Sequence, residues 1–559
     1  MSGRPGRTRW GTIVAMQTDV LDAPPRVIPP LVSALRADLL AAPYTIAATE
    51  DLYGPLAVAA LRRENPVPAR RVLRGRTDPL AVLLSVLTLG AAVPRPLIDA
   101  ALPSLGAEGA LELGILVPAA GDGEAHADAG AGAADGEPLL RAAIDLSPYS
   151  AQDDAGEIAW WIASDLSELA TGRPLRGEHV LGVGGASLTL ARITPRDEVG
   201  SVLDLGCGGG IQALHAARHA RRVVATDLSE RALAVAAFNA ALNAEEGAAP
   251  IELRHGSLLE PVAGETFDLV VSNPPFVITP RDTALAHDRT AGAEGSWTYR
   301  DGGRAGDTLL AELLGALPSH LAPGGRAVML GNWEVPTGEA TDAHPRAWLD
   351  PALADGVDAW VILRETEDPA QYAETWGRDG GVTERDPRWQ DMQEAWLDDF
   401  AARGVEGLGF GYLLLRRPEH GSAPRPGILR SEEATGTGSG TLSSHLSTSL
   451  TMIDVLAGID DDALAASRPV RAADVVERRH LTPGAWDPTL IELVQGAGLA
   501  RAVRADQLLA ATVGALDGTL TLGQTVSAVC ALTDTDPDQA RETLFPQIRE
   551  LVTTGMLSL

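Results

Sequence analysis

The residues best suited to chemistry lie in one short glycine-rich stretch. Residues 204–210 read Asp-Leu-Gly-Cys-Gly-Gly-Gly, a D-x-G-x-G-x-G pattern directly after an apolar run. Glycine lets the backbone turn tightly and approach a ligand where a Cβ atom would collide with it. The pattern predicts a strand, a ligand-binding turn and a helix. The predicted ligand contacts are Asp204, Gly206, Cys207, Gly208 and Gly210.

The spacing of these glycines leaves more than one ligand open. The dinucleotide fingerprint G-x-G-x-x-G fails when it is counted from Gly206, because its sixth position is Ile211. Counted from Gly208, Ala213 satisfies the looser form that ends in Ala. The turn alone therefore does not exclude a nicotinamide or flavin cofactor.

A second acidic residue, Asp227, closes the next predicted strand, 21 residues after Gly206. A carboxylate at about this distance can accept hydrogen bonds from ribose hydroxyls. Taken alone, Asp227 could equally be the neighbour of a helix cap at Ser229. Combined with the glycine turn, it predicts a ribose-binding carboxylate with Leu228 beside it.

The most specific motif is Asn273-Pro274-Pro275-Phe276, which follows a fourth predicted strand. Consecutive prolines fix the chain and remove two amide donors, which leaves the carbonyl groups of Asn273 and Pro274 as free acceptors. Two acceptors that converge on one point suit an NH2 group, and Phe276 can stack on a planar group beside it. A plain Pro-Pro turn is the alternative, and the match of all four residues after this strand disfavours it.

An open sheet is needed to bring these motifs together. Apolar runs and amphipathic helices alternate through the centre of the chain, which is typical of a doubly wound α/β fold. The predicted strands, seven in all, are 201–206, 222–227, 251–256, 267–273, 326–333, 358–366 and 409–417. Ligands bind at the carboxyl edge of such sheets, so we expect the glycine turn, Asp227 and Asn273 to meet there.

Two segments of biased composition divide the chain. Residues 119–138 are almost wholly Ala, Gly, Asp and Glu, and residues 431–449 are rich in Gly, Ser and Thr. We interpret both as linkers, because they offer little apolar surface to bury. They separate a mostly helical N-terminal module (1–118), a central domain with its lead-in (139–430) and a helical C-terminal module (450–559). Both outer modules are possible winged-helix-like domains.

Together the motifs resemble a known family. The sequence is similar to class I S-adenosylmethionine-dependent methyltransferases of the N-P-P-[FYW] group, over roughly residues 180–420. The resemblance implies a seven-stranded Rossmann-like methyltransferase core, S-adenosylmethionine as the cofactor and N-methylation of a planar NH2 group. The residues that match the group's motifs in order and spacing are Asp204, Gly206, Gly208, Gly210, Asp227 and Asn273–Phe276.

Within this group, the sequence most resembles the release-factor glutamine N5-methyltransferases. Tyr299–Gly303, followed by Gly306, is similar to a Gly-Gly loop of that branch, and residues 181–191 lie where the branch has a loop over the cofactor. Many relatives have Gly-Asp-Leu, with an Asp that binds the adenine amino group, where this chain has Gly256-Ser257-Leu258. Ser257 and Leu258 are therefore the candidates for adenine contacts here.

The expected chemistry depends on positioning. Amide and aniline-like nitrogens are poor nucleophiles because their lone pair is delocalised. Hydrogen bonds to the Asn273 side-chain oxygen and the Pro274 carbonyl would turn that lone pair towards the sulfonium methyl group. We therefore predict Asn273, Pro274, Pro275 and Phe276 as the catalytic residues, with Asn273 also among the residues that adjoin the cofactor. Loop residues His287, Asp288 and Arg289 are weaker candidates for substrate contacts.

The net charge bears on the substrate. The chain has no lysine, and 75 acidic residues against 45 arginines give a net charge of −30. This charge repels polyphosphates and anionic membranes, so we favour a protein glutamine amide as the substrate and expect no membrane partner. The alternative is a base amine of ribosomal RNA (guanine-N2 or adenine-N6) or of DNA adenine. Six arginines from Arg62 to Arg76 are compatible with this nucleic-acid alternative, because they could form a phosphate-binding strip. They could equally be solvated or paired with acidic residues of the same chain.

Cysteine content and hydropathy indicate the compartment. Cys207 and Cys530 are the only cysteines, which excludes a disulfide framework and a multi-cysteine zinc site and fits a reducing cytoplasm. We predict no metal ligands, and the sequence leaves the oligomeric state open. The longest uncharged apolar run, Leu80–Val93, is too short to span a membrane. The stretch Trp10–Met16 is too short for the core of a signal sequence, and Met16 could be the true start.

Overall fold

The N-terminal part of the chain is mostly helical. The computed structural model describes residues 23–119, 138–153, 156–167, 171, 178–280, 304–379, 382–419 and 425–559, so the predicted linker 119–138 lies almost wholly outside the described residues. The first helices are α1 (Pro29–Ala41), α2 (Ile46–Leu61), α3 (Val67–Leu73), α4 (Pro79–Leu83, continued by a π-helical turn over Leu84–Thr88), α5 (Arg95–Ala101) and α6 (Gly106–Glu112). In the described part of the chain no single helix is long and apolar enough to cross a bilayer; α1 and α2 meet that test only as a pair bent by 49°.

Short strands and a long hairpin complete this region. The strands β1 (Val93–Pro94), β2 (Leu116–Pro118) and β3 (Leu139–Ala142) pair in the order β1-β3-β2. The hairpin consists of β4 (Asp145–Asp153) and β5 (Gly156–Ser164). The Trp161 indole N–H donates to the carbonyl of Tyr44 at 2.7 Å, and the Trp161 main chain exchanges two hydrogen bonds with the Asn243 side chain. The hairpin thereby joins the N-terminal helices to the central sheet.

The central sheet has eight strands in the described part of the chain. They are β6 (Val199–Leu205), β7 (Ala220–Asp227), β8 (Ile251–His255), β9 (Phe267–Ser272), β10 (Leu321–Pro336), β11 (Asp358–Glu367), β12 (Val405–Arg416) and β13 (Leu429–Glu433). Their spatial order is β13-β11-β12-β10-β9-β6-β7-β8, and β12 runs antiparallel to both of its neighbours. The predicted α/β doubly wound fold is confirmed. The sheet has one strand more than the seven predicted, since β13 pairs with β11.

Helices cover both faces of this sheet. They are α7 (Gly185–Ile193), α8 (Ile211–Ala217), α9 (Glu230–Leu242), α10 (Thr308–Ala316), α11 (Ala343–Ala354), α12 (Pro369–Asp379) and α13 (Trp389–Arg403). Along β6, Val202 belongs to the apolar core on one face, whereas Leu203 and Leu205 belong to the core on the other. A strand buried on both faces is expected to be apolar at successive positions, which explains its sequence.

The C-terminal region begins inside a segment that we predicted to be a linker. Residues 431–449 contain the end of β13 and the first half of α14 (Leu442–Ala457), so the prediction of a linker without structure is wrong there. Leu442, Leu446 and Leu450 recur every four residues and are buried against the sheet. The Ser and Thr residues between them are weak helix formers, so packing of the Leu stripe stabilises this helix.

The remaining elements form a helical core with small sheets. They are α15 (Asp461–Ala466), β14 (Val470–Arg471), β15 (Val475–Leu481), β16 (Pro488–Gln495), β17 (Ala502–Ala505), α16 (Gln507–Ala515), α17 (Leu522–Thr533), α18 (Pro537–Thr553) and β18 (Leu557–Ser558). Arg416 of the central sheet donates to Asp454 of α14, and Arg501 forms an ion pair with Glu432 of β13 at 2.8 Å. These contacts connect the region to β12 and to the edge strand β13 of the sheet.

Candidate active site

The glycine turn lies at the carboxyl end of β6, before α8. Gly206, Gly208 and Gly210 have φ angles of +72°, +52° and +81°, which favour glycine. A Cβ atom at Gly206 or Gly208 would have no described protein atom within 4 Å, whereas one at Gly210 would lie 3.0 Å from Cβ of Ala236. The first two glycines therefore border open space that a ligand can occupy, and the third allows close packing of α9.

Two carboxylates border the glycine turn. Asp204 is buried and accepts a hydrogen bond from the Ala213 N–H at 2.8 Å. The two oxygens of Asp227 accept from the N–H groups of Gly208 at 2.9 Å and Ser229 at 2.8 Å, so Asp227 also fixes the turn. Burial raises the pKa of Asp204 to about 7, helped by the nearby charge of Asp227, and burial raises the pKa of Asp227 too. A negative charge on Asp227 attracts a cationic group and repels a phosphate, whereas Asp204 is buried and holds a proton below about pH 7.

The turn that follows β8 lies next to Asp227. The N–H of Gly256 donates to the carbonyl of Asp227 at 3.0 Å. Leu258 has a φ angle of +47°, which is uncommon for a residue with a side chain and often marks ligand sites. The structure therefore brings the predicted residues Ser257 and Leu258 to the same edge as the glycine turn.

The Asn273–Phe276 motif leaves the sheet at the end of β9. The register pairs Ser272 with Leu205, so Asn273 lies level with the start of the glycine turn. The Oδ1 atom of Asn273 is buried and has no hydrogen-bond partner among the described residues. Leaving a buried acceptor unpaired costs about 1–3 kcal/mol, which a donor from a bound ligand would recover.

A recess adjoins this motif. Pro275 and Phe276 line it together with Asn332 of β10 and with Gly306 and Asp307, which precede α10. Because β10 continues beyond the level of Ser272, this recess lies at the carboxyl edge of the sheet. The predicted catalytic segment thus lies beside a small recess at the sheet edge that also holds the glycine turn.

One residue that sequence reasoning missed holds the glycine turn from behind. The side chain of Asn239 in α9 accepts from the Ala163 N–H at 2.7 Å and donates to the carbonyls of Ala163 at 3.0 Å and Gly209 at 2.8 Å. It fastens the turn to β5. The available signal is the pair Asn239 and Asn243, four residues apart at the apolar C-terminal end of α9.

A buried ion pair braces the segment before α7. Asp165 accepts from the Arg231 side chain at 2.9 Å and from the Val180 N–H at 2.9 Å. Burial acts to raise the pKa of Asp165, but the Arg231 guanidinium outweighs burial and lowers it. Residues 181–191, predicted to cover the cofactor, follow directly, and Gln212 of α8 donates to the Ser187 carbonyl at 2.8 Å. This segment therefore lies against the helix that follows the glycine turn.

Several predicted loop residues lie outside the described residues. These are His287, Asp288, Arg289 and Tyr299–Gly303. Gly306, the last glycine of the same loop, is described and has a φ angle of +55°. In the described ranges, no group of three or more His, Cys, Asp and Glu side chains is arranged to hold a metal ion.

Comparison with known protein families bears on both this site and the N-terminal helices. Residues 182–296 match the methyltransferase small domain. The resemblance to methyltransferases inferred from the motifs is confirmed. Residues 41–128 match a domain of unknown function (DUF7059).

Curated relatives share parts of the methyltransferase region. The ribosomal protein uL3 glutamine methyltransferase of Bradyrhizobium diazoefficiens is 32% identical over 169 residues, which are 30% of this chain and 51% of that protein. The release factor glutamine methyltransferase of Xylella fastidiosa is 34% identical over 160 residues, 28% of this chain and 56% of that protein. The ribosomal RNA small subunit methyltransferase C of Alcanivorax borkumensis is 30% identical over 155 residues, 28% of this chain and 37% of that protein. The chain thus spans about half the length of the glutamine methyltransferases it matches.

The raised pKa of Asp204 predicts a pH dependence of folding. Between the ordinary pKa of an Asp and about 7, the folded protein holds a proton on Asp204 that the unfolded chain has released. Raising the pH through this window therefore lowers the free energy of unfolding, by about 1.4 kcal/mol per unit of pKa difference. Asp204→Asn keeps an acceptor for Ala213 and should be more stable than the wild type at pH 8, with a smaller gain at pH 5. Urea unfolding at both pH values without ligand measures this; an equal gain at both would contradict the assignment.

Proposed function

We propose that this protein is an S-adenosylmethionine-dependent N-methyltransferase that acts on a planar NH2 group. The observation that carries the proposal is the buried Oδ1 of Asn273, which has no partner among the described residues and lies at the sheet edge that also holds the glycine turn. An acceptor in that position is available for a donor from a ligand. The match of residues 182–296 to the methyltransferase small domain supports the same conclusion.

The described residues fit S-adenosylmethionine better than a dinucleotide. Gly206 and Gly208 leave open space beside the turn, and Asp227 stands where a ribose acceptor is expected. A carboxylate at Asp227 suits ribose hydroxyls and a ligand with positive charge, and it disfavours a pyrophosphate beside it. When bound, S-adenosylmethionine supplies a methyl group activated by attachment to a positive sulfur.

The protein's own part in the reaction is to orient the nucleophile. The Asn273 side chain and the Pro274 carbonyl accept the two N–H groups of the target, which directs the nitrogen lone pair away from both acceptors. Phe276 offers a face on which the planar target group can lie. Because the nitrogen becomes positively charged as it is methylated, it then loses a proton readily and no strong base is required. Positioning and charge stabilisation therefore supply the rate enhancement.

As the substrate we favour a glutamine side-chain amide of a protein. The net charge of −30 penalises the approach of polyphosphates, whereas an amide on a protein carries no such penalty. The names of two of the relatives, which are glutamine methyltransferases, support this choice.

Labelling of a cell lysate tests the proposal. The protein is incubated with methyl-labelled S-adenosylmethionine and a lysate, and the products are then treated with protease or with nuclease. We expect the label to become soluble with protease and to appear as N5-methylglutamine after complete hydrolysis. Label that survives protease and is released by ribonuclease would contradict the favoured substrate, and no incorporation would contradict the activity.

A base amine of a nucleic acid is the second candidate. Arg62 and Arg76 are ion-paired with Glu50 at 3.5 Å and Asp78 at 2.8 Å, but Arg70 and Arg71 on α3 have no ion-pair partner in the described part of the chain. Free guanidinium groups on one short helix could contact phosphates. The ribosomal RNA methyltransferase among the relatives also favours this candidate.

Salt dependence separates the two candidates. If the substrate is a protein amide, its apparent affinity should change little between about 50 and 200 mM salt, whereas a nucleic acid that contacts several phosphates should lose about 10³-fold or more. For a nucleic acid, the double variant Arg70→Gln, Arg71→Gln should reduce the slope of log affinity against log salt by about 2. The exposed pair Arg478 and Arg479, changed in the same way on β15, is the control. A steep slope that the first pair alone reduces would favour the nucleic acid.

Asp227→Ala should weaken cofactor binding by about 10- to 150-fold. The variant loses an acceptor for ribose hydroxyls, worth about 1.5–3 kcal/mol when it is charged, and it frees the N–H of Gly208 in the turn. Calorimetric titration with S-adenosylmethionine measures the change. Glu252→Ala on the neighbouring strand β8, where Glu252 is exposed and bonds to arginines, is the control. Unchanged affinity in Asp227→Ala would contradict the ribose assignment.

A further inference from the structure

Two aromatic side chains hold the backbone on the exit side of the Asn273–Phe276 motif. The N–H of Ile278 donates to the hydroxyl oxygen of Tyr372 at 2.9 Å, and the carbonyl of Ile278 accepts from the Trp396 indole N–H at 2.8 Å. Ile278 is itself buried. Both of its backbone polar groups are therefore satisfied by side chains from α12 and α13.

The Tyr372 hydroxyl continues this contact into the sheet. It donates to Oδ1 of Asn332 on β10 at 2.9 Å, and the Asn332 side-chain NH2 donates to the carbonyl of Gly409 on β12 at 3.1 Å. Tyr372 and Asn332 are both fully buried. A single hydroxyl group thus connects the exit of the motif with two strands of the sheet.

Apolar packing fixes the Tyr372 ring. Its centroid lies 5.7 Å from that of Phe400 in an edge arrangement and 5.8 Å from that of Phe410 in a stacked one. Together with Ile278 and Trp396 they belong to one apolar cluster, apart from the two cores on the faces of the sheet. Such packing should keep the ring in place when the hydroxyl group is removed.

The two prolines of the motif cannot fix its position through backbone donors. Pro274 and Pro275 have no N–H, and their ring closure restricts φ to about −65°. Because the backbone of Pro274 and Pro275 is restricted, a displacement of the residues after the prolines is transmitted to Asn273 more directly than through two flexible residues. Only Phe276 and Val277 separate this restricted pair from Ile278.

We propose that Tyr372 is a positioning residue, which places Asn273 for the target nitrogen by holding Ile278 against Asn332. The proposal rests on the proposed function, because it assigns Tyr372 to the orientation step of that reaction. Tyr372 is not expected to touch the cofactor or the target group. Its loss should therefore affect the chemical step and leave binding unchanged.

Tyr372→Phe is the decisive variant, since it keeps the ring and removes the hydroxyl. We expect kcat to fall by about 10- to 100-fold, while KM for the substrate and the cofactor Kd stay within about twofold of the wild type. The matched control is Tyr44→Phe. The Tyr44 hydroxyl is also buried, bonds to Thr88 at 2.9 Å and donates to the Leu146 carbonyl at 2.8 Å. The control should lose a similar amount of thermal stability and keep its kcat.

Two outcomes would overturn the proposal. One is a kcat for Tyr372→Phe within about twofold of the wild type. The other is an equal loss of kcat in Tyr44→Phe, which would indicate general destabilisation. The active fraction of each variant is counted by cofactor-binding stoichiometry, so that partial unfolding is not taken for a lower kcat. If Tyr372→Phe does not fold, Trp396→Phe removes the other hydrogen bond to Ile278 and should likewise lower kcat while KM stays unchanged.

Amide hydrogen exchange separates this proposal from the proposed function. The Ile278 amide should exchange at least about tenfold faster in Tyr372→Phe than in the wild type or in Tyr44→Phe, whether or not methyl transfer is detected. If the wild type transfers no methyl group to any substrate, the proposed function fails, and exchange alone then decides whether Tyr372 holds Ile278. Unchanged exchange in Tyr372→Phe would overturn the positioning role.

Discussion

Asn273→Ala should reduce methyl transfer by about 10²- to 10³-fold or more and change cofactor affinity by less than about twofold. The Asn273 side chain is expected to accept a hydrogen bond from the target nitrogen and not to bind the cofactor. Its removal therefore raises the barrier of the transfer step and leaves the preceding binding step unchanged. Turnover with the labelled substrate and calorimetric titration with S-adenosylmethionine measure the two effects separately.

The same substitution should not destabilise the protein without ligand. The Asn273 Oδ1 atom is buried without a partner in the described part of the chain, so its removal relieves a desolvation cost. Asn239→Ala is the contrasting control, because that side chain makes three hydrogen bonds and its loss should lower the melting temperature. An Asn273→Ala protein that keeps most of the wild-type turnover would overturn the mechanism.

Local sequence was sufficient to locate the strands that carry the site. Residues 201–206, 222–227 and 267–273 were predicted as strands, and the structure has β6, β7 and β9 at these positions within two residues at each end. Strands that are buried on both faces have continuous apolar sequences. The residues that follow parallel strands lie at the carboxyl edge of the sheet. The sequence alone therefore predicts that the glycine turn, Asp227 and the Asn273–Phe276 motif lie at the same edge of the sheet.

Long-range contacts had no such local signal. Ile278 meets Tyr372 and Trp396, which lie 94 and 118 residues further along the chain. In a single sequence each looks like an ordinary core aromatic residue on a helix. The stripe of Leu442, Leu446 and Leu450 has no clear local signal, because the composition of its surroundings resembles a linker. Packing into the apolar core of the folded protein stabilises the helix.

Gly206→Val should lower cofactor affinity by about 100-fold or more. Gly206 has a φ angle of +72°, and a side chain there would extend into the open space beside the turn, where no described atom lies within 4 Å. If that space holds the cofactor, the new side chain and the ligand would compete for it. The variant also carries backbone strain of about 1–3 kcal/mol, because a side chain at positive φ is unfavourable.

Gly247→Val separates the two effects of this substitution. Gly247 has a φ angle of +84°, is exposed in the turn after α9, and has equally open surroundings. Both variants should therefore lose similar amounts of folding free energy, while only Gly206→Val loses affinity for S-adenosylmethionine. Thermal unfolding and calorimetric titration of both proteins measure this difference. Equal affinities in the two variants would mean that the space beside Gly206 is not the cofactor site, and the assignment of the glycine turn would have to be abandoned.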